Sequence, residues 1–336
     1  MDCQRSPDAT PLEAAARARL GWLGEDRAWL VVLGAVTGIE LAWWAIYWSL
    51  GLAPALHLFA HVGLAGVAVA VAIGVRRALR LDPLGPGWPV AILGAALFAA
   101  GASAFLPLKH AIPRVIPFWL DGPLARLERN AFGADPWLLL DRLAGWATIP
   151  MDWLYGTWLP VQSVVFFLVV LARPSPAKSR ALIAYAVAWL VLGVVAAALL
   201  SSAGPLFYDR IFGGASFAAL GDTLRQRGAW VALAESDRMW ASMSEPRPGL
   251  VAGISAVPSM HVAISLWLAL TVRKLGPGAA GLAWAYLLII LLGSVQLGWH
   301  YVSDGLAGAL GMLAIWWLSG VAERRRQARA NAAERP

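Results

Sequence analysis

Gly298 to Val321 reads GWHYVSDGLAGALGMLAIWWLSGV, and this stretch decides what kind of molecule the chain is. After Asp304 the run is apolar, with no further charge before Glu323. A helix needs about 20 such residues to cross a bilayer core. A histidine and an aspartate stand at its head. His300 and Asp304 lie four apart, a spacing that places two side chains on one helix face. A carboxylate so placed fixes the tautomer of an imidazole and stabilises its charged form. That is the base-and-orienter half of an activated nucleophile. Ionisable groups beside lipid are costly to keep without a use.

The rest of the chain has the same character. Of its 336 residues 59% are hydrophobic and only 14% charged, whereas soluble domains are about half apolar and about a quarter charged. Eight apolar stretches are expected to span: Ala28–Leu50, Ala55–Val75, Trp88–Leu106, Trp153–Ala172, Ala181–Ser201, Ile254–Val272, Ala279–Leu297 and Ser303–Val321. The predicted fold is therefore an all-α integral membrane bundle of about eight transmembrane helices, with interfacial helices between them. A polar tail over 1–27 precedes a membrane domain over 28–321, and a basic tail over 322–336 follows it. No cleavable signal peptide is read in the polar N-terminal segment. The only cysteine is Cys3, so no disulfide within the chain is possible.

The net charge of +7 does not point to nucleic acid, because the basic residues sit in short connections. Arg76, Arg77 and Arg80, then Arg173, Lys178 and Arg180, then Arg273 and Lys274, then Arg324 to Arg326 all fall on one side of the expected bundle. Positive charge in short loops marks the cytoplasmic face. Both termini are thus expected inside. Two long segments, Pro107–Asp152 and Ser202–Gly253, fall outside and hold most of the acids. Trp119, Trp137, Trp146, Trp153 and Trp158 cluster around the first, as indole rings do at a membrane interface. Apolar residues at helical spacing over Pro136–Trp146 predict an interfacial helix there.

A second polar setting is Gly253-Ile-Ser-Ala-Val-Pro-Ser-Met-His261. Pro258 suits a first helical position, and Ser255 or Ser259 suits a cap. The unpaired amides of a helix start attract an anion. The sixth span runs inward from His261 and the Arg273-Lys274 turn reverses it. The eighth then starts outside at His300. The topology puts both histidines at one depth on the outer face.

These residues resemble the type 2 phosphatidic acid phosphatase superfamily. Pro258-Ser259-Met260-His261 matches its Pro-Ser-x-His motif, and His300-Tyr-Val-Ser-Asp304 its His-x-x-x-Asp motif. The wider contexts, with Ser202-Ala-Gly-Pro-Leu-Phe-Tyr-Asp-Arg210, look most like its inositol phosphorylceramide synthase branch. The resemblance implies a six-helix catalytic core over about 88–321. It implies that His300 attacks phosphorus to form a phosphohistidine, that Asp304 orients it, and that His261 protonates the leaving oxygen. No metal and no cofactor is implied. The donor would be a membrane phospholipid or polyprenyl phosphate. The acceptor would be the hydroxyl of water, a polyol or a lipid, which separates a phosphatase from a head-group transferase.

The phosphatase branch carries a Lys-x6-Arg-Pro motif and an arginine six residues before the nucleophile. The first is not found, and the second position is Ser294. Phosphoryl transfer needs cations on the equatorial oxygens. Lys109, Arg114, Arg210 and Arg247 are the outer-side candidates, with Arg210 and Lys109 ranked first, each near a span end. Ser259 joins them at the helix start. Tyr208, beside Arg210, either contacts substrate or anchors at the interface. The missing motif favours the transferase. Two other classes compete. His261, His300 and Asp304 are a possible ligand set for zinc, although no His-x-x-x-His or carboxylate-rich cluster accompanies them. A lipid transporter would account for Glu40 inside the first span, which is equally open to pairing with His57 or His61.

Overall fold

The computed structural model describes residues 21–53, 55–81, 88–244 and 253–333. Every regular element among them is helical. In chain order these are α1 (Arg27–Ser49), α2 (Leu58–Ala78), α3 (Trp88–Val115), α4 (Asp121–Phe132), α5 (Pro136–Ala144), α6 (Thr148–Gly156), α7 (Trp158–Val170) and α8 (Pro176–Leu199). They continue with α9 (Pro205–Phe212), α10 (Ala218–Arg227), α11 (Trp230–Ser244), α12 (Met260–Val272), α13 (Pro277–Gln296) and α14 (Val302–Ala333). Helices α1, α2, α3, α8, α13 and α14 are each long and apolar enough to cross a membrane. The protein is an all-α integral membrane protein.

Two of the eight expected spans take another form. The fourth is the second limb of a bent pair, Pro136–Gly156 with Trp158–Val170, angled by 44°. The bend at Thr157 lies between Gly156 and Pro160. Proline offers no N–H to the carbonyl four residues back, which is that of Gly156. The expected interfacial helix is the opening of this pair. α5 stops at Ala144, and Trp137 turns inward to be 4% exposed while Trp146 is 83% exposed.

The sixth span is also shorter than expected. α12 has 13 residues, about 20 Å at 1.5 Å per residue, against a hydrocarbon core of about 30 Å. Every residue from Val262 to Leu270 is buried. A helix apolar all round belongs at the centre of a bundle, and α12 packs against α7, α8, α13 and α14. Residues 253–259 before it are not helical, and Ala256 N–H donates to Ser202 O at 2.8 Å.

Two helices run past their expected ends. α3 continues beyond Leu106 through Pro107 and Pro113 to Val115. Neighbouring helices make proline tolerable within a membrane helix. This puts Lys109, His110 and Arg114 on a helix rather than in a loop. α14 continues through the basic segment to Ala333, where Arg326 pairs with Glu323 at 2.7 Å. Of the expected N-terminal tail, residues 1–20 lie outside those described.

The first three helices are firmly docked. α1 packs on α3 and α8, and α2 on α3 and α7. At one end Lys178 Nζ sits 2.8 Å from Asp26 Oδ1, both side chains nearly fully buried. Trp29 Nε1 donates to the same carboxylate at 2.7 Å, and Lys178 donates to Ala172 O at 3.1 Å. A buried pair holds together only when its remaining valences are met in this way. Deeper in α1, Glu40 is 2% exposed, and a Cβ on Gly101 would stand 3.4 Å from its Oε2. Its Oε1 has no hydrogen-bond partner among the described residues. His61 Nδ1 instead stands 3.0 Å from Ser103 Oγ.

Candidate active site

Two chain segments meet where α12 and α14 begin. After α13 the chain turns at Gly298, whose φ is 73°. His300 N–H then donates back to Ser294 O at 3.0 Å. His300 precedes α14 and does not share a helix face with Asp304, contrary to the four-residue spacing argument. The two are nevertheless in contact, with His300 Nδ1 3.4 Å from Asp304 Oδ2. Asp304 sits in the first turn of α14, and its Oδ2 accepts from Tyr301 N–H at 2.9 Å. That bond satisfies one orphan amide of the helix start.

The other segment is tied to this one through its backbone. Ser259 N–H donates to Asp304 O at 2.9 Å. Gly308 permits the approach, since a Cβ there would stand 2.3 Å from Ser259 O. Ser259 is fully buried and caps α12, with Oγ accepting from Val262 N–H at 3.4 Å. His261, the second residue of α12, then faces His300. His261 Nδ1 and His300 Nε2 are 3.4 Å apart. The two nitrogens of His300 thus have different neighbours, an acid on Nδ1 and a second imidazole on Nε2.

The bent pair fixes the His261 ring. Tyr155, from the last turn of α6, stacks on it at 4.6 Å between centroids and 24° between planes. Trp158, from the first turn of α7, stands at 4.3 Å. Trp158 Nε1 also donates to His261 O at 3.1 Å. The break at Thr157 lets consecutive short helices present these two rings to one histidine.

The sequence-predicted cations separate. Lys109 on α3 is the one described candidate whose charge acts on both imidazoles. Gly253 packs on its backbone, and a Cβ there would stand 2.7 Å from Lys109 C. Arg210 instead pairs with Asp237 at 2.7 Å and lies over the Trp240 ring at 5.8 Å. Arg114 donates to Leu52 O at 3.4 Å and Met243 O at 3.5 Å. Tyr208 packs on Phe212 and Phe217 at 4.9 and 5.1 Å. Arg247 lies outside the described residues. Among those residues no three histidine, cysteine or carboxylate side chains are grouped as metal ligands would be.

Burial and the nearby Lys109 charge hold the His300 pKa down at about 3. A depressed pKa keeps the ring neutral, with a free lone pair, at every pH well above that value. In [13C]histidine-labelled protein the resonance missing from His300→Ala is therefore expected to keep its neutral shift from pH 8 down to pH 5. An unperturbed histidine titrates near 6.5. A His300 midpoint near 6.5 would contradict the environment described.

Sequence reasoning missed the carboxylates that brace the site. Asp121, fully buried on α4, accepts from Ala203 N–H at 2.9 Å, Gly204 N–H at 2.8 Å and Ser202 Oγ at 3.0 Å. Tyr301 Oη donates to it at 3.4 Å. Burial raises its pKa, and these bonds pull the other way. Two turns on, Glu128 Oε1 accepts from Ser303 N–H and Oγ, both at 2.8 Å. α4 therefore grips residues 202–204 with one acid and the head of α14 with the other. Gly204 adopts φ 90° where a Cβ would stand 2.4 Å from Trp299 O, so the gripped segment lies directly on the residue before His300. The seven-residue spacing of Asp121 and Glu128 was the available signal, since it places both on one helix face.

A family model described as PAP2 superfamily matches residues 123–318. No curated protein and no solved structure matches the chain.

Proposed function

Because the chain belongs to the PAP2 superfamily, whose activity is of the phosphatase and phosphotransferase type on lipid phosphates, we propose that it transfers a phosphate-linked lipid head group through a phosphohistidine. The single observation that carries this reading is the placing of His300, with Asp304 on Nδ1 and His261 opposite Nε2, each at 3.4 Å. A neutral imidazole that keeps its proton on Nδ1, the nitrogen facing Asp304, has its Nε2 lone pair free for phosphorus. The phosphate ester takes the place of the contact between the two rings. As the Nε2–P bond forms, the P–O bond to the leaving group breaks, and His261, which must enter the step as the imidazolium paired with the bound anionic phosphate, gives its second proton to that oxygen. An acceptor hydroxyl then attacks phosphorus from the vacated side and passes its proton to His261. The N–P bond breaks and His300 is restored. Asp304 balances the charge on the imidazole during both steps.

Lys109 is the candidate for the cation that the missing motif leaves wanting, because α3 sets it against Gly253, at the start of the segment that leads to Ser259 and His261. Charge on the equatorial oxygens is the main thing such a site stabilises. Ser259 and the head of α12 add amide donors. The burial of His300, at 5% exposure, and of Asp304, at 0%, favours an acceptor hydroxyl other than water. That supports a transferase of the inositol phosphorylceramide synthase kind, with a phospholipid or polyprenyl phosphate as donor. With water as acceptor the same steps make a lipid phosphate phosphatase. The site is assigned to the extracytoplasmic face because α12 leads from His261 to the basic pair Arg273 and Lys274 at its other end.

The test is to trap the intermediate. Wild-type protein mixed with 32P-labelled phosphatidic acid, phosphatidylinositol or polyprenyl phosphate and quenched in alkali is expected to carry label at His300. The bond should survive alkali and be lost in acid, as a phosphoramidate is. No labelled protein from any of the three donors, with product nevertheless formed, would rule out the covalent route.

A further inference from the structure

Tyr155 is 7% exposed, and its hydroxyl has no hydrogen-bond partner among the described residues. Its neighbours are not so placed. Tyr286 Oη stands 3.2 Å from Thr157 Oγ1, and Tyr185 Oη donates to Gln162 Oε1 at 2.6 Å. A buried hydroxyl left alone carries a desolvation cost that phenylalanine would avoid. The ring itself is held firmly. It lies on His261 at 4.6 Å, and its other neighbour is Gly293 on α13, where a Cβ would come within 3.4 Å of Tyr155 Cδ2. Trp299 Nε1 is likewise buried without a partner, on a ring parallel to Tyr155 at 6.5 Å and 5°. Two buried donors without a hydrogen-bond partner among the described residues therefore stand on rings parallel to one another, and one of those rings lies on His261.

We propose that the Tyr155 hydroxyl is a substrate contact, donating a hydrogen bond to an oxygen of the phosphate ester bound between His261 and His300, with Trp299 Nε1 as a second donor to the same group. This rests on the reading of that pair as the site of phosphoryl transfer. Neither donor has a protein partner among the described residues, and the anionic oxygens of a bound phosphate would satisfy both. Donors prearranged in a dry site act on charge as it develops and need no reorganisation.

Tyr155→Phe keeps the ring on His261 and removes one oxygen, so the fold is expected to persist. The probes are orthovanadate, as a pentavalent mimic of the transferring phosphoryl group, and the lipid phosphate that wild-type protein turns over best. Turnover is expected to fall about 10- to 100-fold, the scale of one hydrogen bond to a charged oxygen. The melting temperature without ligand should equal or exceed that of wild type, and the rise on adding vanadate should shrink. A purely structural hydroxyl predicts the opposite: unchanged turnover and an unchanged vanadate response. That result overturns the proposal. His300→Ala, measured alongside, separates the two levels. If it is inactive while Tyr155→Phe matches wild type, only the Tyr155 assignment fails. If His300→Ala is itself active, the reading of the site fails with it.

Discussion

His300→Ala is expected to lower turnover of the lipid substrate by about 10⁴-fold or more, the scale on which losing one member of a nucleophilic unit acts. Among the described residues the His300 ring has one nitrogen facing the second imidazole and the other 3.4 Å from a carboxylate oxygen. No described neighbour offers a substitute nucleophile with that geometry. The loss should appear in kcat, because Lys109 and the α12 amides still bind phosphate. His261→Ala is expected to be nearly as severe for lipid donors, whose alkoxide leaving groups need a proton. It should recover with a donor such as p-nitrophenyl phosphate, whose leaving group needs none. Folding serves as the control: both variants should elute from size exclusion as wild type does and melt within a few degrees of it. A His300→Ala protein that keeps near wild-type turnover would end the assignment.

Asp121→Ala is expected to cost about 3–6 kcal/mol of stability, because, besides the longer Tyr301 bond, it strips three buried donors of their acceptor at roughly 1–2 kcal/mol each. Those donors are Ala203 N–H, Gly204 N–H and Ser202 Oγ. None has another acceptor to turn to without moving the 202–204 segment. That segment lies against Trp299, so its release should also disorder the approach to His300 and reduce activity in the fraction that stays folded. Asp121→Asn keeps one carbonyl oxygen and should cost less than half as much. Denaturant unfolding in detergent micelles, followed by tryptophan fluorescence, measures both. An Asp121→Ala protein within about 1 kcal/mol of wild type would mean that α4 does not brace this loop.

What the sequence made legible and what it hid have separable physical causes. The membrane class and six of the spans follow from long apolar runs, which have no other way to be buried. The meeting of residues 261 and 300 could be argued from alternating helix direction alone. The break at Thr157 was marked by Gly156 and Pro160, but uniform apolarity hid it. The extension of α3 was hidden by Pro107, a helix stop in water that neighbouring helices accommodate in a membrane. For the bracing acids the seven-residue spacing marked a shared helix face, but their partners were hidden for a different reason. Asp121 and Ala203 are 82 residues apart, and Glu128 and Ser303 are 175 apart. No local pattern records such a partnership. Arg210 and Lys109 ranked together as sequence, and what separates them is the Asp237 partner of Arg210 and the packing of Lys109 against Gly253.

Lys109 belongs to a helix that lies ahead of residues 123–318, the stretch carrying the family pattern. On the proposed reading, the counter-charge for the chemistry would be on loan from a flanking helix. Paring the protein down to its signature-bearing half would leave both motifs intact and the anion without its cation. Moving that one ammonium along Trp88–Val115 would retune which phosphates are accepted while every motif residue stayed as it is.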